Sequence, residues 1–430
     1  MPKKVLIITY YWPPAGGIAV QRWMKFVKYF RENNWEPIVY TVEDANYPII
    51  DQSKIKDVPD DILVIKRPIW EPHKLYHFLL RKKKKVGGRD DINSKERASI
   101  VQKISIWFRG NFFIPDARAM WIKPSTKFLS EYLKSNPVDA IVSAGPPHST
   151  HLIAMGITRK LNIPWLADFR DPWVSMDYYK DLMLTSWADK KHRRLELEVL
   201  RKANVVTVIG HAMQTEFLQK GANVHVVTNG FDEEDFKDDN VILDESFTIV
   251  HVGSILKNRN PVAFWKALAE LKKENHSIVK SVVIRLIGKA DESTFQSIKE
   301  NDLESFLEVI GAVPQPEAIK KMKAAQVLLL PIDNFEGAKW VITGKMFEYI
   351  ASKRPVLCIG PVDGDAASIL SIAKSGVTFG FDDVQGIKRY LIELHRQFES
   401  KNLKNNTNNV LQFSYRHLAK EMTQLLNSIV

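Results

Sequence analysis

The stretch Val341-Ile-Thr-Gly-Lys-Met-Phe-Glu-Tyr-Ile-Ala-Ser-Lys-Arg-Pro-Val-Leu357 predicts a loop, a short helix and then a buried strand from Pro355 to Ile359. Gly344, which follows Thr343, has no side chain, so a ligand can approach the backbone there. The N–H groups at the helix start can bind an anion, and Lys345 adds a full positive charge. One turn later, Glu348 can accept hydrogen bonds from sugar hydroxyls. The segment suits a nucleotide diphosphate, and an ordinary loop–helix junction is the alternative.

Length and composition predict a globular protein with two domains. The chain has 430 residues, of which 45% are hydrophobic and 26% charged. Its single cysteine, Cys358, lies in an apolar run and cannot form an internal disulfide, which favours a reducing compartment. The first apolar run is too short for a membrane-spanning helix and reads as a buried strand.

The positive charge of the chain is concentrated in its first half. Residues 1–200 contain 33 Lys and Arg against 22 Asp and Glu, whereas the remainder contains 28 of each sign. This asymmetry indicates that the first domain contacts an anionic surface or substrate.

Short apolar runs alternate with helical patterns in both halves of the chain, which predicts parallel sheets covered by helices on both faces. A polar segment, Phe236–Glu245, separates the two series. We expect domains at residues 1–235 and 245–410, with a last helix at 414–430 that returns to the first domain. The predicted strands are Lys4–Tyr10, Trp35–Val42, Val138–Ser143, Trp165–Asp168, Asn204–Ile209, Phe247–Val252, Val282–Ile287, Gln326–Leu330 and Pro355–Ile359.

Residues 70 to 125 depart from this alternation. They contain the basic run Arg81–Lys85 and the aromatic stretch Trp107–Ile114. Basic and aromatic residues together suit the surface of an anionic membrane. The alternative is a solvated charged loop beside a helix that packs into the core.

In the first half, three candidate segments follow predicted strands, where doubly wound sheets bind ligands. Gly16 and Gly17 can bring the backbone close to a phosphate, or form an ordinary turn. His148 and His151, in a loop that opens a helix, can hydrogen-bond sugar hydroxyls or take a proton, or be histidines without a partner. The third segment, Asp168-Phe-Arg-Asp-Pro-Trp173, can bind an acceptor, or hold a structural ion pair of Arg170 with Asp168 or Asp171.

In the second half, Gly253-Ser254-Ile-Leu-Lys-Asn-Arg-Asn-Pro261 follows a strand and carries two cations before a helix. Either Lys257 or Arg259 can neutralise a diphosphate. Gly288 ends the next strand, and a nucleotide base can stack near Val313. The pair Asp363 and Asp365 reads as a turn, and the sequence has no metal-binding cluster of His and Cys.

Together these segments resemble glycosyltransferase family 4, a group of retaining enzymes with the GT-B fold that use sugar nucleotides. The resemblance covers nearly the whole chain. The segments that carry it are Tyr11–Gly17, Pro146–His148, Ile163–Trp173, Thr228–Asp232, Gly253–Ser254 and Gly344–Ala351.

The resemblance implies two Rossmann-like doubly wound domains that face each other across a cleft, the first for the acceptor and the second for the nucleotide sugar. It implies catalytic roles for His148, near the donor sugar, and for Arg259 and Lys345, on the diphosphate. Glu348 is expected to bind the ribose. The expected donor contacts are Gly16, Gly17, Gly253, Ser254, Lys257, Gly288, Val313, Thr343, Gly344 and Glu348, and the expected acceptor contacts are Asp168, Arg170 and Asp171.

Two residues depart from the family's pattern. The family often has a second glutamate, and the corresponding position here is Trp340, so its role near the donor sugar has no residue unless Glu336 substitutes. An arginine often follows the glycine of the second domain's first strand, where this chain has Ser254. Fewer cations than is usual in the family are therefore available to neutralise the donor phosphates.

The resemblance predicts transfer of a sugar from a UDP- or GDP-sugar to a lipid-linked or cell-surface polysaccharide precursor, without a required metal or other cofactor and without a nucleic acid partner. The basic first domain suggests a cytoplasmic enzyme bound to the inner face of a bacterial plasma membrane. Two alternatives stay open: an epimerase of the same fold that acts on the sugar nucleotide, and a non-catalytic partner protein that keeps the fold.

Overall fold

A computed structural model describes residues 1–70, 100–238, 240–403 and 409–430. The basic run Arg81–Lys85 lies outside the described residues. The chain forms two compact units. Unit 1 comprises Met1–Thr228 and Leu418–Val430, and unit 2 comprises Asn229–His417.

Unit 1 contains a parallel sheet of seven strands in the order β3-β2-β1-β4-β5-β6-β7. Each strand pairs in parallel with its neighbour, for example Leu6 of β1 with Ile38 of β2 and with Ile141 of β4. The strands are β1 (Lys3–Ile8), β2 (Trp35–Val42), β3 (Leu63–Arg67), β4 (Ala140–Gly145), β5 (Trp165–Phe169), β6 (Val205–Val208) and β7 (Val224–Val226).

Unit 2 repeats this arrangement with six parallel strands in the order β10-β9-β8-β11-β12-β13. The prediction of two α/β domains built on parallel sheets is therefore confirmed. The strands are β8 (Phe247–Val252), β9 (Val282–Ile287), β10 (Leu307–Ile310), β11 (Val327–Pro331), β12 (Val356–Ile359) and β13 (Gly376–Phe379).

A short 3-10 helix, Gln52–Asp57, lies between β2 and β3, and α-helices lie between most other successive strands of each unit, since parallel pairing needs crossover connections. In the described part of the chain they are α1 (Ile18–Phe30), α2 (Ile100–Phe112), α3 (Ala119–Ser135), α4 (Ser149–Leu161), α5 (Ser186–Lys202), α6 (His211–Gln219), α7 (Val262–Lys273), α8 (Glu292–Glu300), α9 (Gln315–Ala324), α10 (Gly344–Ala351), α11 (Asp365–Ala373), α12 (Val384–Glu399) and α13 (Tyr415–Asn427). None of these helices has the length and apolar character needed to cross a bilayer.

The inner strands are continuous buried runs, because helices cover both faces of a parallel sheet. In β4, β5, β6, β11 and β12 every residue is buried. The sequence predicted nine strands, and each lies within two residues of an observed one at both ends. The four strands that it did not predict are β3, β7, β10 and β13, the edges of the two sheets.

The last helix, α13, belongs mostly to unit 1, since the division between the units falls at Leu418. Its side chains at Leu418, Met422 and Leu426 are buried. At the start of α13, the N–H of Tyr415 donates to the carbonyl of Phe231 over 2.8 Å, so the first residues of the helix stay with unit 2.

Candidate functional site

Both sheets have a point at which the strand order reverses, between β1 and β4 in unit 1 and between β8 and β11 in unit 2. Connections from the two central strands diverge there to opposite sides, which opens a crevice at their carboxyl ends. Gly16, Gly17 and His148 lie in the loops at the first point, and Gly253 and Lys345 lie near the second. The remaining segments lie at the carboxyl ends of other strands of the same sheets. The two units are described separately below.

Two glycines lie close together at the carboxyl ends of β8 and β9. Gly253 has φ +109° and Gly288 has φ +119°, values that favour glycine. A Cβ on Gly288 would lie 2.7 Å from the carbonyl oxygen of Gly253. The two loops can therefore pack backbone against backbone only while position 288 is glycine.

The side chain of Lys345, the second residue of α10, reaches this strand end. A Cβ on Gly253 would lie 2.6 Å from Lys345 Nζ, and the same Nζ lies 3.4 Å from His251 Nε2. Burial, followed by the positive charge of Arg259, lowers the pKa of Lys345 to about 7. The sequence predicted the lysine but not its contact with the buried imidazole of β8.

Arg259 is the second cation near this point. It follows β8 in a short 3-10 helix, Lys257–Arg259. Its guanidinium forms an ion pair with Asp333, at the end of β11, and Nη1 donates to the carbonyl of Ser254 over 3.3 Å. Lys257 is exposed. Of the two cations predicted for this loop, Arg259 is the one that acts electrostatically on Lys345.

The start of α10 carries no side-chain cap. Thr343 is the residue before the helix, and its buried Oγ1 has no hydrogen-bond partner among the described residues. The first N–H groups of a helix have no acceptor within the helix and carry its positive dipole. The helix start and the Thr343 hydroxyl can therefore donate to an anion.

A buried tyrosine fixes α10 to the end of β8. The hydroxyl of Tyr349 accepts a hydrogen bond from the N–H of Val252 over 2.8 Å, and the tyrosine is 0% exposed. Met346, Phe347 and Ile350 of the same helix are buried in the core of unit 2. This apolar face holds the polar start of the helix beside the strand ends.

Glu348 lies one turn into α10 and accepts a hydrogen bond from Gln315 Nε2 over 3.1 Å. Gln315 begins α9, and Val313, just before it, is half-buried against the core. The hydrogen bond from Gln315 thus brings Glu348 close to the loop that carries Val313. Gln315 was not predicted, because nothing in the sequence relates it to a glutamate 33 residues later.

Trp340 occupies the position at which the family often has its second glutamate. It ends a short 3-10 helix, Ala338–Trp340, and its ring makes an edge contact with Phe335, with centroids 6.1 Å apart. Glu336 is exposed in the same loop. The tryptophan therefore packs within its own loop.

In unit 1, Gly16 and Gly17 precede α1. A Cβ on Gly16 would lie 2.7 Å from Ile49 Cγ2, and the N–H of Gly16 donates to the carbonyl of Ile49 over 2.9 Å. Gly17 has φ +82° and is exposed at the start of the helix. Close packing thus accounts for Gly16, whereas the backbone of Gly17 is accessible to a ligand.

His148 precedes α4 and is stacked on Trp173, with centroids 4.7 Å apart and planes 1° from parallel. It is 7% exposed, and its buried Nδ1 has no partner among the described residues. Burial, followed by the proximity of His151, lowers the pKa of His148 well below its ordinary value. The imidazole is therefore neutral and keeps a nitrogen for a further hydrogen bond.

His151 is part of a buried hydrogen-bonded chain. Trp165 Nε1 donates to Ser143 Oγ over 2.8 Å, and Ser143 Oγ forms a hydrogen bond with His151 Nδ1 over 2.7 Å. Burial lowers the pKa of His151 to about 3, so the ring is neutral. This contact gives His151 a structural role beneath His148.

Asp168 is buried and bonded to other protein side chains, whereas the sequence predicted that it contacts the acceptor. It is 0% exposed, and its carboxylate accepts hydrogen bonds from Arg22, Trp23 and Thr207 at 2.7–2.9 Å. The alternative ion pair of Arg170 with Asp168 is wrong, because Arg22 is the residue that pairs with Asp168. Arg22 itself is 1% exposed.

Arg170 and Asp171 follow β5 and are half-buried. The N–H of Arg170 donates to the carbonyl of Gly145 over 3.1 Å, and the charge of Arg170 contributes to lowering the pKa of His148. These two residues, unlike Asp168, remain accessible. Within the described residues, no three His, Cys, Asp or Glu side chains come together as a metal site.

Neither a protein-family model nor a curated protein sequence matches this chain. Several solved structures do match this chain. A glycosyltransferase from Rickettsia africae matches with a TM-score of 0.62 at 14% identity, over 100% of this chain and 98% of that one. HepE from Anabaena, in complex with UDP-glucose, matches with a TM-score of 0.61 at 14% identity, over 99% of this chain and 100% of that one.

A protein from Listeria monocytogenes described as a UDP-N-acetylglucosamine 2-epimerase also matches, with a TM-score of 0.54 at 11% identity, over 100% of this chain and 96% of that one. Identities this low show the fold. The chain therefore has the GT-B fold, which glycosyltransferases and this epimerase-like protein share.

Proposed function

We propose that this chain is a retaining glycosyltransferase of family 4, which transfers a sugar from a UDP- or GDP-sugar to a lipid-linked or cell-surface polysaccharide precursor. The observation that carries the proposal is the environment at the carboxyl ends of β8 and β11. Lys345, Arg259 and the uncapped start of α10 converge there beside Gly253 and Gly288, whose backbones pack against each other. UDP-glucose bound to HepE, which has the same fold, supports a sugar nucleotide as the donor.

In the proposed reaction, the bond between the sugar carbon and the diphosphate oxygen breaks. A new bond forms from the same face of the sugar to the acceptor oxygen, whose proton passes to the leaving phosphate. The negative charge that develops on the diphosphate is stabilised by Lys345, by Arg259 and by the N–H groups of α10. No side chain needs to form a covalent intermediate in this scheme.

We assign the remaining donor contacts to the residues that the loops make available. Glu348, oriented by Gln315, binds the ribose, and the backbone near Val313 contacts the base. Gly17 lies by the donor phosphates, and the neutral His148 hydrogen-bonds the donor sugar. The acceptor contacts are Arg170 and Asp171, because Asp168 is enclosed by its partners.

We further propose that the enzyme works in the cytoplasm at the inner face of a bacterial plasma membrane. Helix α2 carries four apolar residues that are exposed to solvent. The exposed fractions are 60% for Ile104, 39% for Trp107, 49% for Phe108 and 61% for Phe112. These positions recur at helical spacing, so they form one apolar face. Lys103 and Arg109 are exposed on the same helix, a combination that suits the headgroup region of an anionic membrane. The single cysteine, Cys358, is buried and unpaired, as suits a reducing compartment.

The experiment that tests the proposed function is incubation of the purified protein with a panel of UDP- and GDP-sugars, with and without membrane lipid extracts. The reaction is followed by release of nucleoside diphosphate and by NMR of the anomeric centre of the product. Transfer with an unchanged anomeric configuration supports the proposal, and inversion contradicts the retaining assignment. Isomerisation of the sugar without transfer supports the epimerase alternative, and an absence of both reactions supports a non-catalytic protein.

Substitution at the site connects any activity to these residues. Lys345→Ala should weaken nucleotide binding about 10- to 100-fold, since a charge-assisted hydrogen bond contributes roughly 1.5–3 kcal/mol, and should abolish turnover. Lys320→Ala, on the exposed side of α9, is the matched control and should change neither. Full turnover by the Lys345→Ala variant would remove this site from the mechanism.

A further inference from the structure

The ammonium group of Lys345 lies in a confined position. Gly253 leaves the space that Nζ occupies, because a Cβ there would approach it to 2.6 Å. The side chain emerges from the first turn of α10 and reaches the end of β8. Thr343, whose Oγ1 is buried, is two residues earlier in the sequence. Its reach therefore ends where the proposed diphosphate binds.

His251 contacts this ammonium with a nitrogen whose role is fixed. The carbonyl of Leu329 can only accept a hydrogen bond, so His251 Nδ1, at 2.9 Å from it, carries the hydrogen. His251 is 1% exposed, and burial lowers its pKa well below the ordinary value, so the ring is neutral. Nε2 consequently presents a lone pair to Lys345 Nζ at 3.4 Å.

The charged groups that act on Lys345 are Arg259, Glu348 and Asp333. Arg259 repels it, and the carboxylate of Asp333 already pairs with Arg259. Glu348, on the same helix, attracts it but also accepts a hydrogen bond from Gln315. The neutral His251 supplies a lone pair without a negative charge. A bound diphosphate would place further negative charge beside the ammonium, which favours its protonated form.

We propose that binding of a nucleoside diphosphate is coupled to uptake of one proton by Lys345, and that His251 is a positioning residue that holds the protonated amine towards the phosphates. This inference rests on the proposed donor site and adds its regulation by pH. The proton passes from solvent to Nζ as the anion enters, and it returns to solvent when the diphosphate leaves.

The coupling has a defined sign. The pKa of Lys345 in the protein alone is about 7, and a neighbouring anion raises it. Above pH 7 the free protein holds less of the proton than the complex does, so binding must take it up. Affinity for UDP should therefore fall by close to tenfold for each pH unit above 7, until the pKa of the complex is reached.

Calorimetric titration of the full chain with UDP and GDP, in two buffers of different ionisation enthalpy, measures the proton uptake directly. From a pKa of about 7, we expect uptake of about half a proton at pH 7 and about 0.9 at pH 8. Lys345→Arg, which keeps the charge at all these pH values, should bind with no uptake. Lys320→Arg, on the exposed side of α9, is the matched control and should behave as the wild type.

His251 is tested by a conservative and a disruptive substitution. His251→Gln can still donate to Leu329 and accept from Lys345, so it should keep an affinity within about threefold of the wild type. His251→Leu cannot accept, and should lower affinity about tenfold and move the pH dependence to lower pH. Circular dichroism confirms that each variant is folded.

Binding of UDP or GDP without proton uptake, or with the same uptake in Lys345→Arg, would overturn the coupling and leave the proposed function intact. Equal affinity of His251→Leu and the wild type at every pH would overturn the positioning role. Failure of the wild type to bind either nucleotide between pH 6 and 9 would overturn the proposed function, and this inference with it.

Discussion

At the scale of single residues, Asp168 illustrates how burial decides the role of a charged group. Its carboxylate lies at the end of β5, as a ligand contact should, yet it is 0% exposed and accepts hydrogen bonds from Arg22, Trp23 and Thr207. These donors hold the pKa of Asp168 below its ordinary value although burial opposes them. The pair therefore fixes α1 against the sheet, because Arg22 also donates to the carbonyls of Val227 and Thr228.

We expect Asp168→Asn to lower the free energy of unfolding by about 3–5 kcal/mol, because it leaves the Arg22 guanidinium buried without a counter-charge. Urea denaturation monitored by tryptophan fluorescence measures this loss. Asp171→Asn, at a half-buried position in the same loop, is the control and should change stability by less than about 1 kcal/mol. An Asp168→Asn protein with wild-type stability and no turnover would instead favour an acceptor contact.

Single-residue roles were the least predictable from sequence. Asp168 and its partner Arg22 lie 146 positions apart in the sequence, and no local pattern relates them. Lys345 was identified because its charge, a glycine and a helix start are adjacent in the sequence. His251, its neighbour in space, was missed because one histidine within an apolar strand reads as an ordinary core residue.

At the scale of elements, the junction of α10 with β8 determines where the proposed phosphate site lies. Tyr349 is the connection, since its hydroxyl accepts the hydrogen bond from the N–H of Val252 over 2.8 Å. The tyrosine is four residues after Lys345, one helical turn away. A displacement of this turn would therefore move the ammonium relative to Gly253.

Tyr349→Phe should cost about 1–3 kcal/mol of stability, because it leaves the Val252 N–H without its acceptor. It should also weaken nucleotide binding, since α10 loses its attachment to the strand end. Thermal unfolding and UDP titration measure the two effects. Tyr390→Phe removes a hydroxyl from a tyrosine that packs against Phe379, and serves as the matched control. Unchanged values for Tyr349→Phe would mean that apolar packing alone positions α10.

Helix α2 is the second element with a proposed role, which is docking to an anionic membrane. Its aromatic residues contact one another as well as solvent, since the rings of Phe108 and Phe112 are stacked with centroids 4.7 Å apart. The sequence left two interpretations of this stretch, and the exposure of Trp107, Phe108 and Phe112 favours a surface role over packing in the core.

Replacing Trp107, Phe108 and Phe112 together with serine should release the protein from anionic vesicles in a co-sedimentation assay. The apolar contribution is lost, while the net charge of +11 is unchanged. Serine at Leu218, Leu411 and Val362, which are 52%, 64% and 64% exposed, is the matched control. Replacing Lys82–Lys85 with serine separates the charge contribution, at about 1 kcal/mol for each lysine near the surface. Equal sedimentation of all variants with anionic and neutral vesicles would exclude membrane docking by this helix.

At the scale of the whole molecule, the sequence predicted the two parallel sheets because their inner strands are covered on both faces. Such strands are uninterrupted apolar runs, as Val327–Pro331 shows. The edge strands β3 and β10 have no fully buried residue, and their mixed composition carries no strand signal. Edge strands bury less apolar surface, so their position depends on pairing with a neighbour that is distant in sequence.

The path of the chain supports a last prediction, because unit 1 is completed by residues from the opposite end of the sequence. In α13, Leu418, Met422 and Leu426 are at most 3% exposed. Burying a large apolar side chain contributes roughly 1.5–3 kcal/mol, so their loss costs about 5–9 kcal/mol, comparable to the total stability of a domain. Truncation after His417 should therefore unfold unit 1 while unit 2, which keeps the hydrogen bond from Tyr415 to Phe231, stays folded.

Scanning calorimetry of the truncated chain should show one remaining transition, which UDP shifts to higher temperature because unit 2 holds the proposed donor site. The full chain should show the additional transition of unit 1. Asn427→Ala, which removes only the exposed hydrogen bond from Lys3 Nζ at 3.0 Å, is the control and should leave both transitions in place. A truncated chain with the thermogram of the full chain would show that α13 is dispensable for unit 1. Loss of both transitions would show that unit 2 depends on a folded unit 1.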